Sequence, residues 1–557
     1  MLKYADIFPT KAQFLSDEEL SFQLEWFVLE ATSIRVQVEL IDLDQVVDRK
    51  EAVLESEGGY FSREIIVFDR RSEGFKGFGV EASLYKNDKL IGFASTACDI
   101  VDSHKKTVRY GFLSDFFVGQ EEDTASLDWM NKMHINYVQY YDWMYRHDDF
   151  IPKEEVFADL LDRKLSLKTI CSRIKQAKKY GMQNLAYGAI YGATKELFEM
   201  HPEWALYNSA NEPITFFDFL HIMNIHEHSP WHHYIINEYK KAIELGFNGI
   251  HMDTYGFPKV GFSIDGILQN LEDQFPVLID HTKEQLKSVK EDVSLIFNNV
   301  GNWPVNTVAK ANQEAIYIEV WDPYTDYEHI RKIIVDAKSW GGHKPVVLAA
   351  YLKPFNEDNI IGAENAALIL TATITTCGGY HLLIGENNGY LTEGYYPNYY
   401  KSQNKGFNNR MRKYYDHIVR FMNIWFDESL RDVSLTHCKG DNQEYIIEGV
   451  SYSPNPISDK IWVTIKENKN MQMMSFINLN GNQDTIWNKE KVVVPTSSFK
   501  VKVQLNYKVE SVFYSSPDQD NIMKKLKYEI VKNDRGMYAV IDVPSIEVWG
   551  TLVIKNQ

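Results

Sequence analysis

A central (β/α)8 barrel between two all-β units is the fold class this sequence predicts, and three observations predict it. The chain has 557 residues, too many for a single core. Between about residues 130 and 390, strand-like apolar runs alternate with helix-like stretches, and the runs number eight. That alternation and that count favour a closed parallel barrel over an open sheet. Before and after it the patterning changes to short period-two runs separated by turn residues. The expected units are an immunoglobulin-like β-sandwich over 1–107, a barrel over 108–430 and a C-terminal β-sandwich over 431–557.

The first unit rests on runs at 22–28, 34–40 and 79–85, with Lys86-Asn87-Asp88 as a hairpin turn. Its size suits an immunoglobulin-like sandwich. The eight barrel strands are expected at 135–141, 184–191, 204–207, 249–253, 293–298, 315–320, 345–351 and 380–384. Helical patterns fill 167–180, 234–245, 327–340 and 363–375, and a further helix over 408–426 closes the unit. The long segment 208–231 is expected on the rim of a cleft. Runs at 461–465, 473–479 and 539–543 build the last unit. There is no internal repeat and no low-complexity linker, so the three units are expected to pack as one body.

Composition narrows the function. A net charge of −18 argues against nucleic acid and against an anionic membrane as partner. Aromatic residues make up 13% of the chain, with 33 Tyr and 12 Trp, which suits large cores and equally suits a cleft where flat rings stack on sugars. Cys98, Cys171, Cys377 and Cys438 lie far apart, so neither a zinc site nor a disulfide framework is expected. His226-Glu227-His228 and His232-His233 lack the His-Glu-x-x-His spacing, so no metal is expected there. No phosphate-binding glycine loop and no Gly-x-Ser-x-Gly elbow is present. No apolar stretch reaches 18 residues, and Met1 to Asp6 carries no signal-type run. As given, the chain reads as cytoplasmic; a secreted protein whose signal had been removed would read the same way.

The chemistry is expected at strand ends. Gly249-Ile250-His251-Met252-Asp253-Thr254-Tyr255-Gly256 reads as a buried strand that surfaces on a carboxylate. Ala315-Ile316-Tyr317-Ile318-Glu319-Val320-Trp321 is a second such run. In a barrel, the C-terminal strand tips are where catalytic groups sit. Two carboxylates placed there suggest the acid pair of glycoside cleavage, although a strand-tip acid is more often a cap or an ion-pair partner. Other tips are also polar or aromatic: Tyr141, Asp142 and Trp143, then Tyr187 and Tyr191, then Asn298, then Tyr351 and Lys353, and last Glu386 and Tyr390. Tyr255 and Trp321 belong with them. A hydroxyl-rich ligand would demand such convergence, and packing alone would not. Asp142 either bonds sugar hydroxyls or pairs with Arg146. His251 either bonds Asp253 or a hydroxyl, or is a satisfied core histidine.

Tyr141-Asp142-Trp143, Ala186-Tyr187-x-x-x-Tyr191, Gly249-x-His251-x-Asp253-x-Tyr255-Gly256 and Glu319-x-Trp321 together resemble glycoside hydrolase family 66, which holds dextranases and cycloisomaltooligosaccharide glucanotransferases. The resemblance spans the chain and implies a Greek-key topology for the last unit. It further implies retaining cleavage of internal α-1,6-glucosidic bonds of dextran, with Asp253 as nucleophile and Glu319 as acid/base. Asp142 would be a further essential acid on the non-reducing side, and no cofactor is implied. The cyclising members resembling this chain carry a carbohydrate-binding module inserted in the barrel, for which there is no room between about residues 351 and 361. This favours a dextranase acting on dextran or isomaltooligosaccharides, with transfer or cyclisation as a side activity. An exo-acting α-1,6-glucosidase and a non-catalytic glucan-binding protein are the alternatives.

Overall fold

A computed structural model describes residues 2–438 and 440–557. At the N-terminus a three-stranded sheet (Leu2–Pro9, Leu20–Val28, Phe61–Phe68) shares one apolar core with a five-stranded sheet centred on Thr32–Asp42 and Phe75–Lys86. Leu20–Val28 shows why: every second side chain is buried, so one face of the strand is apolar and the other wet. The C-terminal region repeats the plan, with a seven-stranded and a four-stranded sheet closing on Ile461, Val463, Val501, Val503 and Ile541.

Between them runs a parallel eight-stranded sheet. In chain order its strands are Tyr110–Leu113, Tyr137–Tyr140, Gln183–Ala189, Gly249–Asp253, Ser294–Val300, Ala315–Glu319, Val346–Ala349 and Tyr380–Leu382, each hydrogen-bonded to the next. A parallel bridge from Phe112 to Gly385 brings the last strand back to the first and nearly closes the barrel.

Two expectations fail here and offset each other. The first strand, Tyr110–Leu113, went unread: it is four residues long, wholly buried and contains a glycine, so it shows no alternation. The run at 204–207 is not a barrel strand. It is the end of a 3-10 turn, Pro202–Trp204, followed by isolated bridges from Tyr207 to Pro213 and Phe262. From the fourth strand onward the ordinal positions coincide with those expected.

Local signals set the elements that aim the cleft. Ser166 caps the helix Leu167–Lys179 by accepting from the Thr169 N–H. Pro230 opens the helix Pro230–Leu245, and Gly246 ends it at φ +126°, which turns the chain into the strand that finishes at Asp253. One barrel helix, Lys405–Arg420, reaches both flanking regions. Its Arg412 pairs with Asp6 at 2.7 Å, its Arg420 with Glu81 at 2.7 Å and its Arg410 with Asp518 at 2.8 Å.

Candidate active site

Asp253 ends the fourth barrel strand, Glu319 ends the sixth, and the fifth lies between them. Asn298 stands on that middle strand. Its single amide nitrogen donates to Asp253 Oδ1 at 2.7 Å and to Glu319 Oε2 at 3.2 Å. The two bridged oxygens are therefore no farther apart than these contacts laid end to end, roughly 6 Å; retaining glycosidases hold their carboxyls about 5–5.5 Å apart and inverting ones about 6.5–9.5 Å. From the third strand, the Tyr187 hydroxyl donates to Asp253 Oδ2 at 2.7 Å. The two adjacent parallel strands thus supply both side-chain donors to Asp253, which holds its carboxylate from both sides.

Burial pushes both carboxyls up. Asp253 rises to about 6, because desolvation and the nearby Asp142 outweigh the donors Tyr187 and Asn298. Glu319 rises to about 7, from desolvation and from the negative charge of Asp253, against the donors Tyr351, Asn298 and Trp321. The order leaves Glu319 as the better proton holder and Asp253 as the better anion.

A cleft of about 620 Å³ opens above the pair. Tyr141, Tyr187, Tyr255 and Trp321 line it, as does Asp142. Tyr141 stacks on Tyr396 at 4.4 Å, and Tyr255 stacks on Phe216 at 4.1 Å, so both rings are fixed platforms. Asp142 sits at φ 44°, with its carbonyl held by Arg163 at 2.9 Å. Its Oδ1 is buried without a hydrogen-bond partner, and burial lifts its pKa to about 7. Arg146 does not pair with it; that guanidinium bonds the carbonyls of Tyr145 and Ala158.

Six expected ligand contacts lie elsewhere. Trp143 is fully buried, packed on Phe247, and donates to the Tyr187 carbonyl at 3.2 Å. Tyr191 is also in the core, bonded to the Phe257 carbonyl. His251 is the satisfied core histidine of the two readings: it faces Tyr110 at 2.9 Å, burial lowers it to about 3, and it backs the Tyr187 ring. Tyr390 bonds Asn408 at 3.0 Å in the core. Glu386 accepts from Ser114 and Asp115 and locks the eighth-strand end to the first. Lys353 borders a neighbouring groove, with its amine 6.0 Å from the centre of the Trp321 ring. For all but Lys353 the cause is direction: alternate residues of a strand, and turns just past its tip, point into the wall rather than the mouth.

Several cleft residues went unnamed in the sequence. His147 approaches Asp142 Oδ1 at 3.8 Å and is held neutral by burial, near 4. Phe216, Phe217 and Phe219 come from a hairpin (Thr215–Phe216 with Leu220–Ile222) inside the 208–231 segment, and Phe217 is 75% exposed. Three phenylalanines in a polar loop were the readable signal. Gly394 abuts the acid: a Cβ there would lie 3.2 Å from Glu319 Oε1. Nothing local marks that glycine. The histidine-rich stretch is engaged in packing, with His232 bonded to the Ile225 carbonyl and His281.

Residues 10–553 match the profile of glycosyl hydrolase family 66. A cycloisomaltooligosaccharide glucanotransferase of Niallia circulans is 22% identical over 95% of this chain and 70% of its own length. A dextranase of Streptococcus salivarius is 23% identical over 58% of this chain, and the match spans under half, 46%, of that relative. Among solved structures, a Paenibacillus sp. cycloisomaltooligosaccharide glucanotransferase with bound cycloisomaltoheptaose superposes with a TM-score of 0.90 at 19% identity, over 99% of this chain and 100% of that one. At that identity the likeness speaks for the fold.

Proposed function

Because this chain belongs to glycosyl hydrolase family 66, we propose that it cleaves internal α-1,6-glucosidic bonds of dextran with retention, giving isomaltooligosaccharides. The observation that carries the proposal is the Asn298 amide shared by Asp253 and Glu319, which holds the two carboxyls at close range beneath an aromatic cleft. In the first step Asp253 attacks the anomeric carbon while Glu319 gives its proton to the departing glycosidic oxygen. The C–O bond to the leaving chain breaks, and a glucosyl ester forms on Asp253. In the second step Glu319, now an anion, takes a proton from water. That water releases the sugar and restores Asp253. Tyr187 and Asn298 hold Asp253 in line during both steps. Asp142, with an open buried oxygen, takes a hydroxyl of the glucose on the non-reducing side.

A second reading, formation of cyclic isomaltooligosaccharides, is favoured by the glucanotransferase relatives. It differs only in the acceptor of the second step, a sugar hydroxyl replacing water. Against it, the stretch from Val346–Ala349 to the helix Ile360–Thr376 holds only a 3-10 turn, Lys353–Asn356, with no inserted module.

Product analysis on high-molecular-weight dextran tests the proposal. A fast fall in viscosity with linear isomaltooligosaccharides supports endo-hydrolysis, and cyclic products support transfer. Glucose alone, released from short oligosaccharides with dextran intact, indicates an exo-acting enzyme. No cleavage of any α-1,6-glucan overturns the proposal.

A further inference from the structure

Trp321 belongs to two concavities at once. One face closes the cleft beside Glu319, and the ring also borders a shallow groove whose far side comes from the C-terminal region: Ile486, Trp487 and Asn488. That strap is pinned to the barrel loops. Trp487 donates its indole N–H to the Tyr324 carbonyl at 2.6 Å and its backbone N–H to Thr325 at 3.0 Å. Thr485 donates to Asp326 at 2.9 Å, and Asn488 Oδ1 accepts from the Lys353 N–H at 2.9 Å. The groove is therefore rigid before any ligand arrives.

Its chemistry is that of a sugar platform. Trp321 and Ile486 provide an apolar strip, and Ile486 is 37% exposed. Around the strip, the Asp322 carboxylate, the Lys353 amine and the Asn488 amide N–H2 have no ion-pair or hydrogen-bond partner among the described residues. Apolar faces with hydroxyls at the edge are what a pyranose presents.

Position assigns the side. Glu319 protonates the oxygen that leaves, so the departing chain lies on the Glu319 side, and Trp321 lines the cleft there as a side-chain donor to Glu319. Asp142, with His147 and Tyr187, marks the other side. We infer that the groove between Trp321 and the strap Ile486–Asn488 binds an α-1,6-linked glucose unit on the leaving-group side, beyond the cleaved bond. This rests on the reaction proposed above. The same groove would hold the acceptor sugar in transfer, so the C-terminal region would set the balance between hydrolysis and transfer.

The test compares dextran with an aryl α-isomaltoside, whose leaving group is too short to reach the groove. For the double variant Ile486→Ser/Asn488→Asp, kcat/KM on dextran should fall by about tenfold and on the aryl glycoside by less than about twofold. Asp at 488 keeps the acceptor for the Lys353 N–H. The ratio of transfer to hydrolysis with added isomaltotriose should fall in parallel. Ile486→Trp, which enlarges the platform, should raise that ratio. Equal losses on both substrates, or no change in either quantity, would overturn the groove while leaving the reaction standing. If the wild type cleaves neither substrate, the reaction falls first and the groove with it.

Discussion

Glu319 and Glu386 occupy the same rim of the same barrel. Both are nearly sealed from solvent, at 8% and 2% exposure. Both carboxyls are pushed far up, to about 7 and about 8, chiefly by burial and secondly by a neighbouring aspartate, Asp253 in one case and Asp115 in the other. Their surroundings differ. Glu386 receives the Ser114 N–H at 2.5 Å, the Ser114 hydroxyl at 2.8 Å and the Asp115 N–H at 3.0 Å, and so stitches the barrel shut. Glu319 faces the cleft, with Gly394 leaving space beside Oε1. A perturbed pKa is therefore common to a structural latch and to the proposed acid/base; what separates them is that Glu319 lines the cleft and Glu386 does not.

The strongest way to break this comparison is to remove function on one side. Asp253→Asn and Glu319→Gln should each lower turnover on dextran by at least about a thousandfold, measured as reducing ends released, with the melting temperature nearly unchanged. A Glu319→Gln enzyme with near wild-type turnover would sink the assignment. On the other side, Glu386→Ala strands three donors. It should cost about 2–3 kcal/mol in urea unfolding while turnover per folded molecule is retained. Loss of turnover in a fully folded Glu386→Ala protein would erase the contrast.

Titration sharpens it. The proposed reaction requires Asp253 ionised and Glu319 protonated, so on that proposal kcat/KM should peak between about 6 and about 7 and fall on both sides. Tyr187→Phe removes a donor that favours the Asp253 anion, so the acidic limb should move to higher pH. Glu386 acts on stability instead. Burial and the neighbouring Asp115 raise its folded pKa above the ordinary 4.5, so its contribution is full below 4.5 and is lost as the pH rises through the raised value. Urea midpoints across that window should fall with pH, and Glu386→Gln should flatten the slope. The smallest effect belongs to Tyr390→Phe, which gives up one buried hydrogen bond to Asn408; about 1 kcal/mol of stability should go and the kinetics should stay.

Much of the barrel was readable because strand and helix periods are local. The runs ending at Asp253 and Glu319 are each five residues with an aliphatic or Met side chain at every second position and an acid at the end, and both are strands in place. Tyr110–Leu113 escaped because a short strand buried on both faces carries no alternation, and 204–207 misled because a few apolar residues in a loop imitate one. In the site, residue type was legible and side-chain direction was not. Tyr187 and Tyr191 are both tyrosines near one strand end, yet one hydroxyl meets Asp253 and the other a backbone carbonyl in the core.

By itself, then, the sequence determined the alternation of elements, the acidic surface and the two carboxylates at strand ends, since each depends on residues within a few positions of one another. Tertiary structure alone decided that Asn298 reaches both acids, that Glu386 is a latch, that Gly394 clears space for Glu319 and that residues 486–488 stand beside Trp321. Those contacts join segments separated by 21 to 272 positions, and no local pattern encodes which distant side chain will fill a given gap.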